Sequence, residues 1–411
     1  MTKRNIYICL IAAALSAYSS TSLAQGTQKS INSRLDELES KISQISQASS
    51  KSTLTTALEN ARLSGRLHID GKWYNNKESD AKKDGIDIRR ARLAIDGNIG
   101  KDFYYKFDNS FTNNKSELFD AYIAYIAIPE TEFRVGHYRP PFSLEQLVGS
   151  NTMVFIERSV VSTSSPGRHV GFQASTYNAK WHATAGIFGE TTGNESRTDD
   201  SQTSASARVV YAPVNNLSSL IHLGLAGFYA SKNRNTAVTG ANTTANAIDK
   251  EYFLEAEMIV RQGSTEFQAE YTYNHVNYDK NARGAGLVST TGLRGDFNGY
   301  YAQISTLLTG EHRDYKTKTG IVSGFKVNSP VDKNGIGAWE IAARYASDNR
   351  NDNYRSNLIN GGNTKELTLG VNWYLNDNVR MMFNYQNVDR NTRTAINQRY
   401  DGFSVRTQLI F

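Results

Sequence analysis

Residues 63–74 read Leu-Ser-Gly-Arg-Leu-His-Ile-Asp-Gly-Lys-Trp-Tyr, so apolar or small side chains alternate with polar ones. Side chains of a β-strand point to opposite faces in turn, and this stretch therefore predicts a strand with one apolar and one polar face. The same alternation recurs at 103–111, 265–273, 339–345 and 366–375. The apolar rows carry no charge, which favours strands that are exposed to lipid on one side.

Strand-like stretches of this kind fill the chain from residue 57 to residue 411. Sixteen can be placed, about 22 residues apart, which fits strands of about 9 to 11 residues joined alternately by short turns and longer loops. An even number of antiparallel strands closes with both ends on one side. The sequence thus predicts an all-β fold, a transmembrane 16-stranded antiparallel outer-membrane β-barrel. The predicted strands begin near residues 63, 86, 103, 118, 131, 169, 180, 204, 219, 252, 264, 297, 337, 364, 378 and 403.

The composition excludes other classes of protein. Hydrophobic residues make up 39% of the chain, too few for a bundle of membrane helices, while 23 Tyr and 17 Phe are too many for a disordered chain. Beyond the apolar run at 6–17, no window reaches the roughly 18 apolar residues that a spanning helix needs. A soluble β-sandwich is the alternative for alternating strands, but it requires neither an export signal nor so many charge-free faces.

Residues 1–24 have the pattern of a secretory signal, with a positively charged start, the apolar run at 6–17 and the small-residue site Ser22-Leu23-Ala24. Its removal takes away the single cysteine, Cys9, so the mature chain is expected to have no disulfide or thiolate metal site. The formal net charge of +6 is mild, and no basic cluster indicates nucleic acid. The predicted location is the bacterial cell outer membrane.

The segment 25–56 has a helical period instead. Its apolar residues follow the 4-3-4-3 spacing of a heptad seam, which predicts a short coiled-coil helix in the periplasm, followed by a Ser/Thr-rich linker at 46–56. So short a helix is barely stable alone, and a coiled coil here needs several chains. The alternative is an amphipathic helix that packs on its own domain. The seam residues are Ile31, Leu35, Leu38, Ile42 and Ile45. The predicted domains are thus 1–24, 25–56 and 57–411.

The connection 139–168 differs from the others because it is both long and apolar. Structureless connections beyond about 12 to 15 residues are usually functional or disordered, and apolar side chains argue against disorder. We expect this loop to fold onto the inner barrel wall and narrow the channel. The alternative is a position outside the barrel, as a subunit contact. The residues expected to form the constriction are Phe142, Glu145, Phe155 and Glu157.

Inward positions of the predicted strands carry many cations in the first half of the barrel. Diffusion through a pore is filtered by its width and by the charges that line it, so these side chains are candidates for steering anions. The alternative is that each cation pairs with a carboxylate and stabilises the wall, since the second half supplies inward acids such as Glu255, Glu270 and Glu340. The candidate steering residues are Arg66, Lys72, Arg90, Arg92, Lys106, Arg139, Arg158, Arg168 and Arg208.

Several of these residues occur in motifs that make the chain similar to the phosphate-selective porin O and P family. The matches keep the family's order and span most of the predicted barrel. They are Ile88-Arg89-Arg90-Ala91-Arg92-Leu93, Phe119-Asp120-Ala121-Tyr122, Val135-Gly136-His137-Tyr138-Arg139-Pro140-Pro141-Phe142, Phe155-Ile156-Glu157-Arg158-Ser159, Pro166-Gly167-Arg168, and Gly337-Ala338-Trp339-Glu340 with Arg344-Tyr345.

The resemblance implies a sixteen-stranded barrel in outer-membrane lipid, usually a homotrimer, whose third external loop constricts a water-filled pore. It also implies that Arg90 and Arg92 are the family's arginine pair. The family's phosphate specificity depends on constriction lysines, and this sequence departs from that pattern because it has no Lys between Arg139 and Arg168. The indicated function is passive diffusion of small hydrophilic solutes, biased to anions such as phosphate. A general or weakly cation-selective porin is the alternative.

No motif in the chain predicts chemistry. The seven His lack the spacing of a metal site, and neither His312-Arg313-Asp314 nor Arg294-Gly295-Asp296 has the surroundings of the kinase or adhesion motif that it imitates. We therefore predict no catalytic residue, metal or cofactor. The rival classes are an outer-membrane barrel enzyme, whose triad need not be visible in sequence, and an adhesin, which the short segment before the strands disfavours.

Overall fold

A computed structural model describes residues 60–76, 82–112, 115–189, 203–231, 248–278, 294–351, 360–391 and 398–411, together with 36, 37, 39 and 40. The chain divides into two units, Met1–Glu59 and Asn60–Phe411. In the first unit, the four described residues are helical and belong to the segment in which the heptad seam is predicted. The rest of the predicted signal, arm and linker lies outside the described residues, so the signal and the coiled coil stay predictions.

In the described part of the second unit, sixteen antiparallel strands form one closed barrel, which confirms the predicted fold. Each barrel strand pairs with the next barrel strand along the chain, and the first pairs with the last to close the sheet. The first eight strands are β1 (Arg62–Asn76), β2 (Gly85–Ile99), β3 (Phe103–Thr112), β4 (Lys115–Tyr125), β5 (Thr131–Tyr138), β6 (His169–Tyr177), β7 (Trp181–Phe188) and β8 (Thr203–Asn215). The other eight are β9 (Ser219–Ser231), β10 (Ile248–Gln262), β11 (Thr265–Tyr278), β12 (Arg294–Leu307), β15 (Ala338–Asn351), β16 (Asn360–Tyr374), β17 (Val379–Asn391) and β18 (Gln398–Ile410).

The remaining elements are short and lie in the connections. Strands β13 (Tyr315–Lys316) and β14 (Ile321–Val322) form a separate two-stranded sheet. The helices are α1 (Leu144–Leu147) and two 3₁₀ helices (Val160–Ser164 and Val331–Lys333). Among the described helices, none has the length and apolar character needed to cross a membrane.

The two faces of the barrel wall follow from the alternation in the sequence. In β9, Leu223 and Leu225 are exposed on the outside, whereas His222, which directly precedes Leu223, is fully buried inside. The closed ladder pairs backbone groups on both edges of every strand, as a span through hydrocarbon requires. The wall is therefore apolar toward lipid and polar toward the interior.

The connections at the two ends of the barrel differ in length. At the end that holds both termini of the barrel, six connections are two to five residues long, as is usual on the periplasmic side of outer-membrane barrels. These turns are 100–102, 126–130, 178–180, 216–218, 263–264 and 375–378. The seventh connection at this end, 308–337, is far longer. At the opposite end, the connection 139–168 joins β5 to β6.

Candidate functional site

The connection 139–168, here called the constriction loop, lies inside the barrel, as its apolar residues predict. Phe142 packs against Phe228 and Phe253 of the inner wall, with ring centroids 6.5 and 5.6 Å apart. Leu144 belongs to a buried cluster with Leu220 and other wall residues. Burial of these side chains stabilises the inward position, and a position outside the barrel is excluded.

Carboxylates of the second half of the barrel hold the start of this loop. Glu255 accepts hydrogen bonds from the backbone N–H groups of Ser143 and Leu144, at 2.7 and 3.1 Å. Glu270 accepts from the Ser143 hydroxyl at 3.1 Å and from the Glu145 N–H. Both carboxylates are almost fully buried beneath the loop. Their hydrogen bonds go to the loop, whereas the sequence left open that such acids pair with cations of the first half.

Arginines of the second half hold the rest of the loop through its carbonyl groups. Arg380 donates to Met153 O at 2.9 Å, and Arg406 donates to Ile156 O at 2.6 Å. Arg406 also forms a two-pronged ion pair with Asp70, so one side chain joins β18, β1 and the loop. Arg406 is therefore paired with a carboxylate, has a structural role and leaves little charge for a solute, whereas the partners of Arg380 are uncharged groups.

Arg344 links the loop to the wall most extensively. Its guanidinium contacts the carboxylates of Glu145 at 3.1 Å and Glu366 at 2.8 Å, and it donates to Glu157 O at 3.1 Å. Its side chain is 1% exposed. The two carboxylates it contacts are also buried, so Arg344 is the charge that makes their burial possible.

A second segment, 308–337, also enters the barrel, from the opposite end, and sequence reasoning did not identify it. Arg313 forms a buried ion pair with Glu340 at 2.6 Å, and Tyr315 hydrogen-bonds His222 at 2.8 Å. Lys318 reaches Glu132 at 3.2 Å. The sequence feature that could have indicated this segment is the distance between the predicted strand starts near 297 and 337, which is almost twice the average. We call this the periplasmic segment.

The two inward segments cover the second half of the wall and leave an open cavity of about 360 Å³ beside the first half. Among the described residues, the barrel strands that line it are β1 to β8, together with the two segments. Ten cations and only three carboxylates line this cavity. The carboxylates are Asp108, Asp120 and Glu132, and the cations are Arg66, Arg90, Arg92, Lys106, Arg134, Arg139, Arg158, Arg168, Arg208 and Lys318.

Eight of the nine candidate steering residues line this cavity. The exception is Lys72, which is not among the lining residues and contacts Asp70 and Glu157, each at 3.4 Å. Arg208 lines the cavity but is 1% exposed and bound to Glu257 at 2.6 Å, so much of its charge is compensated. Arg134 and Lys318 are lining cations that the sequence reasoning missed, because carboxylates and a separate segment position them.

The four residues expected to form the constriction face the wall rather than the cavity. Phe142 and Phe155 are 1% and 2% exposed and pack under the loop. Glu145 and Glu157 are bound by wall cations. The loop side that lines the cavity instead consists of Arg139, Pro141, Gln146, Leu147, Val148, Gly149, Ser150, Arg158 and Arg168. The loop thus turns two aromatic rings and two carboxylates toward the wall and presents three arginines, Gln146 and Ser150 to the channel, beside Pro141, Leu147 and Val148.

Four lining arginines, Arg92, Arg139, Arg158 and Arg168, act on one another electrostatically, and we call them the arginine cluster. Arg92 and Arg168 stack on the ring of Phe119, 3.4 and 4.4 Å from its centroid. Among the described residues, only Arg168 of the four has a carboxylate partner within ion-pair distance, Asp120 at 2.7 Å. Burial and the charges of Arg168, Arg158 and Arg92 lower the pKa of Arg139 well below its ordinary value. The cluster is therefore a region of net positive charge.

Arg139 and Arg158 are oriented by uncharged groups. Arg139 donates to the side-chain oxygen of Gln146. Arg158 donates to the carbonyls of Glu145 and Val148, each at 2.8 Å, where helix α1 leaves backbone acceptors unpaired. These hydrogen bonds fix the guanidinium groups without cancelling their charge.

Two residues reach the interior through bulges that the alternation could not reveal. In β2 the register shifts between Arg90 and Ile88, so Arg89 is an extra residue and bonds Glu157 at 2.8 Å. In β4 the same irregularity makes Phe119 the extra residue beneath the arginine cluster. A strict period of two would place both side chains on the lipid side.

Glu157 is the carboxylate that several cations on the loop-facing wall share. Arg89 contacts it at 2.8 Å, Lys72 at 3.4 Å and Arg90 at 3.9 Å. Burial alone would raise the pKa of this carboxyl, but the hydrogen bond and charge of Arg89, with Arg90 and Lys72, hold it well below its usual range. Glu157 is therefore ionised at neutral pH.

We expect Glu157→Gln to raise the anion-to-cation permeability ratio by about two-fold, because a negative charge beside Arg90 is lost. A folded-state pKa below the unfolded one means that the ion pairs stabilise the protein at neutral pH and fail only in strong acid. Lowering the pH to about 4 should therefore not reproduce the effect of the substitution. Reversal potentials of the wild type and the variant, at neutral pH and at about pH 4, measure these permeability ratios. The prediction would be wrong if the wild-type ratio at the lower pH reached that of the variant.

Two triplets noted in the sequence are occupied by structural contacts. In Arg294-Gly295-Asp296, the aspartate accepts from Tyr273 and lies 2.7 Å from His275 Nδ1, within the β11–β12 pairing. In His312-Arg313-Asp314, the arginine is bound to Glu340. No residue of either triplet lines the cavity.

The lipid-facing closed barrel, its inward loop and its charged water-accessible cavity together have the architecture of an outer-membrane porin, a channel protein. The family model for the phosphate-selective porins O and P matches residues 62–411. The chain belongs to this family. Its location is the bacterial outer membrane.

Comparison with individual proteins agrees with this assignment. Porin O of Pseudomonas aeruginosa is 26% identical over 403 residues, covering 85% of this chain and 88% of that protein. Among solved structures, the trimer form of OmpT from Vibrio cholerae aligns with a TM-score of 0.55 at 11% identity, covering 85% of this chain and 99% of that one. An anion-selective porin from Comamonas acidovorans aligns with a TM-score of 0.55 at 12% identity, covering 86% and 99%. The two structures establish the shared fold.

Proposed function

We propose that this porin passes small anions, phosphate among them, by passive diffusion through the cavity beside the first half of the barrel. The observation that carries the proposal is the ratio of ten cations to three carboxylates in the cavity lining. Within the barrel the potential of a charged wall acts over short distances with little screening, so such a lining concentrates anions and repels cations. Arg92, Arg139 and Arg158 contribute most, since they have no carboxylate partner among the described residues.

Lysine side chains for a phosphate come from outside the constriction loop. The loop has none between Arg139 and Arg168, but Lys106 of β3 and Lys318 of the periplasmic segment both line the cavity. Each shares a carboxylate with an arginine, Asp120 with Arg168 and Glu132 with Arg134. An ammonium group paired in this way still donates hydrogen bonds to a passing anion. The departure in the loop is therefore compatible with phosphate passage.

The proposal includes a homotrimer. OmpT of Vibrio cholerae, which shares the fold, has a trimer form, and porin O belongs to the same family as this chain. The segment 25–56 would join the three chains in the periplasm through its heptad seam. Each chain would provide its own channel, because the cavity is enclosed by the strands of a single barrel.

A planar-bilayer experiment with the purified full-length porin tests these statements. Under a KCl gradient the reversal potential should have the sign of anion selectivity, and added phosphate should reduce the chloride current. Each insertion should close in three equal steps, one for each chain of the trimer. A reversal potential of the opposite sign would replace the proposal with a cation-selective porin, and a value near zero would replace it with a general diffusion porin.

A further inference from the structure

The cavity has a second wall that carries no charge. It is formed by the inner faces of β6 and β7, where Ser175 lies opposite Thr184 and Tyr177 lies opposite His182 in the register. Gln173 precedes these two pairs on β6, and all five side chains line the cavity. We call them the uncharged wall.

The hydroxyl groups of this wall have a fixed hydrogen-bond direction. Thr184 donates its single hydroxyl hydrogen to Ala174 O at 3.1 Å, so it must accept from Ser175 at 2.8 Å. Gln173 Nε2 in turn donates to Ser175 Oγ at 3.4 Å. This series of hydrogen bonds begins at the side-chain amide of Gln173, whose oxygen is left as an acceptor.

His182 adds a second acceptor, and this one has no donor. The side chain is 5% exposed, and its ring hydrogen-bonds the Lys318 backbone. Nδ1 is buried and has no partner among the described residues. In a neutral imidazole whose one N–H donates to a carbonyl, the other nitrogen is an acceptor. An acceptor buried in this way costs free energy unless a water or a ligand supplies a hydrogen.

The acceptors and the arginine cluster lie on different elements of the lining. Gln173 and His182 belong to β6 and β7, whereas Arg92 belongs to β2 and the other three arginines to the constriction loop. A ligand that uses both sets therefore has an anionic group for the arginines and separate hydroxyl donors for the acceptors. A volume of about 360 Å³ accommodates such a molecule, since pockets for small organic ligands begin at about 300 Å³.

Resting on the proposed anion pathway, we propose that the cavity selects hydroxylated organic anions, of which phosphate monoesters of small sugars and polyols are the simplest class. The phosphate group binds the arginine cluster, and the sugar hydroxyls donate to His182 Nδ1 and to Gln173. Inorganic phosphate held by the arginine cluster engages only the first of these sites, because it carries no sugar hydroxyl that extends to the uncharged wall. The ester is therefore held more tightly than the ion from which it derives.

The test compares block of the KCl current by inorganic phosphate, glucose 6-phosphate and uncharged glucose in the full-length porin. We expect the half-blocking concentration of the ester to be about 5-fold lower than that of phosphate, as one or two additional hydrogen bonds would give, and glucose to be without effect. His182→Phe should remove this preference and leave block by phosphate unchanged. Thr184→Val, which keeps the side-chain volume, should weaken it. His275→Phe, on the outer face of β11, is the matched control and should retain it.

Equal block of the wild type by the ester and by phosphate would overturn this inference and leave the anion channel intact. The same holds if both His182→Phe and Thr184→Val keep the wild-type preference. A wild-type channel without anion selectivity would instead overturn the proposed function, and this inference with it.

Discussion

Channels in which Arg92 and Arg139 are both replaced by Glu are expected to lose anion selectivity and to reverse the sign of their reversal potential. The arginine cluster with Asp120 has a formal charge of +3, from four guanidinium groups and one carboxylate. The double substitution leaves two guanidinium groups and three carboxylates, a formal charge of -1. We expect the anion-to-cation permeability ratio to fall by about ten-fold or more, which is ~1.4 kcal/mol in relative barrier height.

These two positions make the test clean, because neither arginine has a carboxylate partner among the described residues. Their replacement therefore breaks no ion pair in the wall. Two controls belong to the experiment: the charge-conserving pair Arg92→Lys and Arg139→Lys, which should keep anion selectivity, and Lys101→Glu in an exposed periplasmic turn, which should leave it unchanged. If the Glu variant remains as anion-selective as the wild type, the cluster does not set the selectivity.

Arg344→Ala is expected to release the constriction loop from the wall and to raise the single-channel conductance. The substitution leaves the carboxylates of Glu145 and Glu366 buried without their cation, which costs about 3 to 5 kcal/mol for a pair of this kind. Moving the loop away from the wall rehydrates both groups and is the easiest relief. The backbone ladder of the barrel is untouched, so the β-sheet content measured by circular dichroism should stay constant.

The matched control is Arg399→Ala, which removes an arginine from the exposed ion pair with Asp389. An ion pair of this exposure contributes little to stability. The conductance of the Arg399→Ala channel should therefore equal that of the wild type. An Arg344→Ala channel with wild-type conductance and current noise would show that the remaining contacts hold the loop by themselves.

The barrel was predictable because contact with lipid requires an apolar side chain at every second position of a strand. The starts of all sixteen barrel strands were predicted to within five residues, and the largest difference is at β18, predicted near 403 and observed at Gln398. The difference arises because the ends of strands that extend beyond the membrane no longer need apolar side chains on one face. The bounds of the constriction loop, set by Tyr138 and His169, also agree with the sequence.

The interior was predictable only in part, because its order depends on contacts between distant parts of the chain. The inward cations could be read from the alternation, but not which of them the carboxylates of the loop or of distant strands would neutralise. Lys72 and Arg208 show this, since their carboxylate partners Glu157 and Glu257 are 85 and 49 residues away. Bulges are a second limit: Arg89 and Phe119 point inward only because one extra residue shifts the local pairing.

The contacts of Arg406 have a consequence for the order in which the barrel is built. This residue lies in the last strand and meets Asp70, 336 positions earlier, and Ile156, 250 positions earlier. Neither contact can form before the final strand has been added to the sheet, because contacts of such separation must wait for the whole intervening chain. The constriction loop is thus fastened across the seam by a residue that arrives last, and the channel acquires its final width only when barrel assembly is complete.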